Sequence, residues 1–258
     1  MEAAKRQRVM ARAKAVPVLL GRGLAQLLWP AVCGICHAAI CDTDRELCPK
    51  CWGELLTCTA GDYCPRCGRD ASRYGLVDSA CAACQNDEIH FDGIARVGVY
   101  TEALQRIILA FKHDHSEWAR TLAPLADAAL QGSGFAEEID LLVPVPLHWT
   151  RRLLRGYNQS YLLAKKLHPA RARVSTDLVR IRRTRAQPQV ATPAARARNV
   201  AGAFVVREGH DFTGRTVCLV DDIKTSGATL NECAKTLKEA GATKVYALVL
   251  AVAGQRSL

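Results

Sequence analysis

The chain has no uninterrupted run of 18 or more apolar residues, so no segment reads as a membrane-spanning helix. It also lacks a recognisable export signal. Met1 to Lys14 is basic, but no adequate apolar core and cleavage site follow, and the expected location is the reducing cytoplasm. Aromatic residues make up only 6% of the sequence. Acids are scarcest where bases are densest: Arg151 to Asn199 holds 13 Lys or Arg against one acid, Asp177, whereas the whole chain carries a net +10. Such a region faces an anion or is widely solvated, and pyrophosphate and nucleic acid are the two anions to weigh. Tyr157 and Tyr161 are its only tyrosines, so no aromatic platform for stacking bases is visible there.

Cysteine, by contrast, is abundant. Ten of the 12 lie between Cys33 and Cys84, and eight of these form Cys-x-x-Cys pairs: Cys33/Cys36, Cys48/Cys51, Cys64/Cys67 and Cys81/Cys84. Two such pairs joined by a loop can set four thiolates tetrahedrally around one Zn²⁺. Gly34, Pro65 and Gly68 stand at turn positions within or beside the pairs. The segment has few large apolar residues, so bound metal would supply the folding free energy that a core cannot. Disulfides would need an oxidising compartment, and redox Cys-x-x-Cys sites usually occur singly beside a βαβ pattern. Two structural zinc ions are therefore expected, with consecutive pairs sharing an ion; interleaved pairing is the alternative. Cys41 and Cys58 are left over and could replace an assigned ligand. Cys218 and Cys233 read as small core residues.

The most informative stretch is Val217 to Thr229. Four apolar residues, Val217 to Val220, lead into Asp221 and Asp222. A turn of small residues follows, Thr225-Ser226-Gly227-Ala228-Thr229, and then Leu230, Cys233, Ala234, Leu237 and Ala240 fall at helical spacing. Strand, acidic pair, small-residue loop and helix are the layout of a sugar-phosphate site at the carboxyl end of a parallel strand. The loop amides and the helix N-terminus suit a phosphate, and small residues leave room for its approach. The carboxylates suit ribose hydroxyls or a hydrated Mg²⁺.

Strand and helix patterns alternate over the second half. Strands are expected at Ile94–Tyr100, Asp140–Pro146, Phe204 with its neighbouring valines, Val217–Val220 and Val245–Val252. Helices are expected at Glu102–Phe111, Leu122–Leu130, Arg152–Leu167 and Thr229–Ala240, with Gly241 as a C-cap. The expected class is α/β, a mostly parallel sheet with flanking helices preceded by a small double zinc-ribbon module. The expected divisions are a basic, amphipathic helical segment over 1–32, the ribbons over 33–90 and the sheet domain over 91–258.

The Val217–Thr229 stretch resembles the 5-phosphoribosyl-1-pyrophosphate (PRPP) signature of type I phosphoribosyltransferases. With the cysteine pairs, Cys64-Pro-Arg-Cys67-Gly68, Val143–Leu147, Arg155–Ser160 and the run from Gln189 through Arg196 to Asn199 and Phe204, the whole chain resembles the ComF family. That resemblance implies several roles. Asp221 and Asp222 would meet the ribose hydroxyls, Thr225 to Thr229 would hold the 5-phosphate, and Val145 and Pro146 would lie near pyrophosphate, with Lys112 as a further cation. Arg155, Asn158 and Gln159 could line the acceptor side or a subunit contact, or serve structurally at a helix N-terminus, and Thr184–Arg198, with Gln189 and Arg196, corresponds to a mobile basic loop. His113, His115 and His148 are expected at the surface, and Lys224 is given no role. The implied chemistry is transfer of phosphoribose from PRPP with Mg²⁺ and release of pyrophosphate, although no signature for a particular nucleobase is present. The implied setting is DNA uptake in natural transformation, with single-stranded DNA or competence-machinery proteins as partners. The alternative is a PRPP- or DNA-binding protein without turnover.

Overall fold

The computed structural model describes residues 30–40, 46–113, 116–169, 172–184 and 192–253. Nearly all of the expected N-terminal segment lies outside them, as do Cys41, His115 and Gln189. Packing groups the chain into two compact units, Met1–Glu54 and Leu55–Leu258.

In the first unit the backbone turns tightly after Cys33. The His37 amide donates to the Cys33 carbonyl at 2.8 Å, with His37 in the left-handed region at φ 59°. The second unit repeats this knuckle: the Gly68 amide donates to Cys64 O at 2.7 Å, and Gly68 has φ 77°. Only the second knuckle places glycine, the residue this conformation favours, at that position. Cys48 and Cys51 are carried by the start of helix α1 (Pro49–Thr59) and the residue before it. The second ribbon continues into a hairpin of β1 (Leu76–Val77) and β2 (Ala80–Cys81), joined by Asp78 and Ser79 at φ 48° and 64°. Two positive φ values in a two-residue turn match the twist of the strands it joins.

The second unit is built on a five-stranded sheet. In chain order its elements are β3 (Gly93–Val99), α2 (Glu102–Lys112), α3 (Trp118–Gln131), β4 (Leu141–Pro144), α4 (Trp149–Arg155), α5 (Gln159–Ala164) and β5 (Arg173–Val174). Then follow β6 (Leu178–Arg180), α6 (Pro193–Val200), β7 (Phe204–Val206), β8 (Thr216–Lys224), α7 (Ala228–Glu239) and β9 (Lys244–Val252). The sheet order is β3-β9-β8-β4-β5, parallel throughout, with β6 and β7 paired separately and antiparallel. Both faces of β9 are buried, which is why it reads as an unbroken apolar run. From β4 the chain steps outward to β5, and from β8 it steps the other way to β9. The switch point therefore lies between β4 and β8, where ligands bind in open α/β sheets.

Three expected elements are corrected. The single helix over Arg152–Leu167 is two. Gly156 at φ 77° closes α4 by donating to Arg152 O, and the Asn158 side chain starts α5 by accepting from the Ser160 amide at 3.1 Å. The basic segment expected as a loop over 184–198 is helical from Pro193, after an N-cap at Thr192 that accepts from the Ala195 amide. The central strand runs beyond Val220 through both aspartates to Lys224, because β9 continues to pair with it as far as Val252. The C-cap of α7 is as expected. Gly241 donates to Lys238 O and Ala242 to Leu237 O, which is a Schellman closure.

Candidate functional site

The carboxyl ends of β4 and β8 open onto one cleft of about 660 Å³. Its floor is Asp221, Asp222 and the turn into α7; its opposite side is Val145–Leu147, after β4. The arrangement follows from local chain properties. β8 is flanked by β9 and β4, so its end is held on both sides. Gly227 then adopts φ 83°, which lets the chain turn directly into α7. Among the described residues, the amides of Thr225, Ser226 and Gly227 have no backbone acceptor. Together with the N-terminus of a 12-residue helix they form a cup of donors suited to an anion.

The acids are held unequally. Asp221 accepts from Ser160 Oγ at 3.2 Å and from the Asp222 amide at 2.9 Å. Burial, and then the Asp222 charge beside it, push its carboxyl up to about 7. Asp222 instead pairs with Lys112 Nζ at 3.1 Å. The cation expected near pyrophosphate thus lies against a carboxylate expected to meet ribose.

Thr225, Gly227, Ala228 and Thr229 line the cleft, as do Val145, Pro146, Arg155, Gln159 and Arg196. Ser226 does not. It lines a separate 220 Å³ cavity behind the loop, and its hydroxyl accepts from the Ala228 amide at 3.4 Å. Asn158 also lies elsewhere. Its side-chain amide donates to Val145 O at 3.1 Å, which holds the loop after β4. Gln159 is 1% exposed, and its Oε1 accepts from Arg155 Nη1 at 2.9 Å. Its Nε2 is a buried donor with no partner among the described residues. A buried donor in that state is costly unless something arrives to accept from it.

Four wall residues were missed by the sequence reading: Arg151, Arg180, Ser160 and Lys224. Ser160 had a signal, since it closes the Arg155–Ser160 stretch. Arg180 had none beyond belonging to the basic region. It pairs with Thr184 Oγ1 and lies 5.1 Å from the Phe204 ring, while its Nε has no partner among the described residues. Lys224 is 4% exposed, and burial draws its ammonium below the ordinary lysine range. His148 also departs from expectation. It is buried, not at the surface, and caps α4 through Thr150. Burial, then the charges of Arg180, Arg183 and Arg151, lower its pKa below the ordinary histidine value.

A second cleft of about 550 Å³ shares Pro146, Leu147 and Arg180 with the first. Trp149, Tyr157 and Tyr161 line it together with Arg152 and Arg207. The aromatic surface missing from the sequence of the basic segment is thus assembled by adding Trp149, 65% exposed, from just before it.

The cysteines gather as two clusters, Cys33/Cys36/Cys48/Cys51 and Cys64/Cys67/Cys81/Cys84, with the four sulfurs of each within 4.8 Å of one another. Consecutive pairing therefore holds and the interleaved alternative is excluded. Measured sulfur separations of 3.6–3.7 Å match the roughly 3.8 Å that tetrahedral zinc requires at a 2.3 Å bond. They are far from the roughly 2.05 Å of a disulfide. In the second cluster, burial raises the Cys64 thiol, but the amides of Cys67, Cys81 and Arg66 more than offset this and bring it to about 7. Burial raises Cys67, and the charge of Cys64 adds to the effect. Four thiols so placed resist ionising together unless a cation joins them, so both sets fit zinc. Cys58 lies outside both, bonded to Thr101 Oγ1 at 2.8 Å. Cys218 and Cys233 are fully buried core residues, as expected.

Comparison with known proteins agrees with both modules. Residues 24–85 match the double zinc ribbon domain, and residues 155–258 match the phosphoribosyl transferase domain. Competence protein F of Haemophilus influenzae is 30% identical over 226 residues, covering 85% of this chain and 96% of that protein. DNA utilization protein YhgH of Escherichia coli is 28% identical over 84% of this chain and 94% of its own. Competence protein ComFC of Bacillus subtilis is 29% identical over 77% and 80%. No helix among the described residues is long and apolar enough to cross a membrane.

Proposed function

The chain belongs to the ComF family, which joins a double zinc ribbon to a phosphoribosyltransferase domain, and from that premise we propose that its main cleft binds PRPP. The observation carrying this reading is the convergence of Asp221, Asp222, Thr225 and Gly227 at the switch point, in one cleft with Arg151, Arg155 and Arg180. The loop and the start of α7 take the 5-phosphate. Asp221 and Asp222 accept from the ribose hydroxyls, with Lys112 released from Asp222 toward the ligand. The loop Val145–Leu147 and the arginines face the pyrophosphate. Gln159 Nε2 supplies a donor to ligand oxygen, and Arg196 approaches from the α6 side.

Mg²⁺, held with PRPP near Asp221 and Asp222, would offset pyrophosphate charge as the ribose C1–O bond to pyrophosphate breaks and the acceptor bonds to C1. The chain contributes position and fixed positive charge, with no covalent step on a side chain. The biological setting we propose is use of incoming DNA in natural transformation, since the relatives are a competence protein F, a ComFC and a DNA utilization protein.

Calorimetric titration with PRPP and Mg²⁺ tests the pocket. Wild type should bind, and the double variant Asp221→Ala/Asp222→Ala should not; absence of binding by wild type ends the proposal. Pyrophosphate release across nucleobases, nucleotides and oligonucleotides separates turnover from binding alone.

A second reading, contact with single-stranded DNA, is favoured by the cleft that sets Trp149, Tyr157 and Tyr161 among arginines. If it holds, affinity falls steeply with salt, by a slope of about −0.7 per phosphate contacted. A flat salt response rejects it.

A further inference from the structure

Lys224 has no part in the reading above. It is the last residue of β8, the residue is 4% exposed, and its ammonium makes no hydrogen bond or ion pair among the described residues. It reaches both the main cleft and the small cavity behind the loop. In that cavity Asp87 is already engaged by Arg69 at 3.2 Å.

The loop is built over this lysine. A Cβ added at Gly227 would stand 3.0 Å from Lys224 Cε and 3.5 Å from its Nζ. The stem therefore lies against the underside of Gly227, and a larger residue there would displace it. On the other side of the cavity stands Cys67, a member of the second sulfur cluster. A zinc held by four thiolates carries a net charge of about −2, which favours a cation nearby. That charge lies behind the loop. The amides of Thr225, Ser226 and Gly227, in the loop itself, have no backbone acceptor among the described residues. Lys224 lines both this cavity and the main cleft, so its charge acts on an anion held at the loop from the side opposite the solvent.

We infer that Lys224 is a further phosphate-recognition residue of this site, a buried cation beneath Gly227 that adds its charge to the loop amides when a sugar 5-phosphate binds. The inference rests on the PRPP reading and assigns the lysine to one part of that ligand, the 5-phosphate. In a position largely removed from water a single fixed charge acts more strongly than an exposed one does. Lys224 is thus a determinant of affinity for sugar phosphates, and it leaves pyrophosphate recognition to the opposite wall.

Calorimetry on the zinc-loaded full chain tests this, with ribose 5-phosphate and inorganic pyrophosphate as separate probes. Lys224→Met fills the same space without charge. It should bind ribose 5-phosphate about ten- to a hundredfold more weakly than wild type, the range expected for one charge-assisted contact. Pyrophosphate affinity should stay within about twofold, the zinc content should be unchanged, and the melting temperature should hold or rise. Unchanged ribose 5-phosphate affinity overturns the inference, as does a variant whose only defect is weaker zinc retention. Wild type that binds no sugar phosphate sinks the PRPP reading itself, which is a separate outcome. Should the methionine variant not fold, the ε-ammonium resonance of Lys224 in wild type, assigned with Lys224→Arg, gives the answer. It should move on addition of ribose 5-phosphate, and a stationary signal overturns the inference.

Discussion

Asp221 shows how one residue trades stability for function. Its carboxyl releases a proton near the ordinary aspartate value of 3.8 in an unfolded chain, but only near 7 in the folded one. Between those values the folded state binds more protons, so this group's contribution to stability falls as pH rises through that window and is constant above it. Asp221→Asn removes the loss. Melting curves should show variant and wild type similar near pH 4 and the variant ahead by several degrees at pH 8. Titration at pH 8 should show the reverse order for PRPP, with the variant at least about tenfold weaker, because one acceptor for a ribose hydroxyl has gone. A variant no more stable at pH 8 than at pH 4, relative to wild type, contradicts the burial argument. Residues of this kind were readable in the sequence because adjacent acids before a small-residue turn are chemically distinctive. Arg180 and Lys224 were not, because their roles depend on burial and on packing against Phe204 and Gly227.

At the scale of elements, the second ribbon is fastened to β3. Arg96, 5% exposed, pairs with Asp70, donates to Gly68 O at 2.7 Å and lies 4.8 Å from the Tyr63 ring. The Ile94 amide donates to Pro65 O at 2.9 Å. Removing the guanidinium leaves the Gly68 carbonyl without its donor and opens a gap beneath the knuckle. Arg96→Ala should therefore cost about 2–3 kcal/mol of unfolding free energy, measured by denaturant titration. The end of α1 approaches the same strand closely: a Cβ on Gly98 would lie 2.3 Å from Cys58 O. Gly98→Ala should cost about 1–3 kcal/mol through that overlap, and an unchanged midpoint would contradict the close approach. The helix break at Gly156 and the start of α6 at Thr192-Pro193 carried capping signals in the sequence. They were outweighed there by longer apolar spacing and by the density of arginine, which says charge but not conformation.

For the whole molecule, the two metal centres lie in different compact units. Elemental analysis should give about two zinc ions per chain. Cys33→Ser and Cys64→Ser should each lower this to about one. The second change should also lower the melting temperature of the sheet, because the Cys64–Gly68 knuckle supplies the carbonyls that hold β3. Equal thermal behaviour of Cys64→Ser and wild type would show that metal and sheet are uncoupled. Packing places the second ribbon with the sheet in Leu55–Leu258, whereas composition alone grouped it with the first. Composition registers cysteine density; packing registers which apolar faces and carbonyls are shared.

The sequence by itself determined the sulfur spacing, the acidic pair, the small-residue turn and the alternation of strand and helix. All of these are set by residues close together along the chain, where dihedral preference and periodicity act. Only the tertiary structure decided that Lys112 meets Asp222, that Gln159 Nε2 is buried without a partner among the described residues, that Lys224 is buried, and that Trp149 joins the tyrosines. Those outcomes come from strand order and burial, which bring distant residues together and remove water from between them, and no local pattern encodes either.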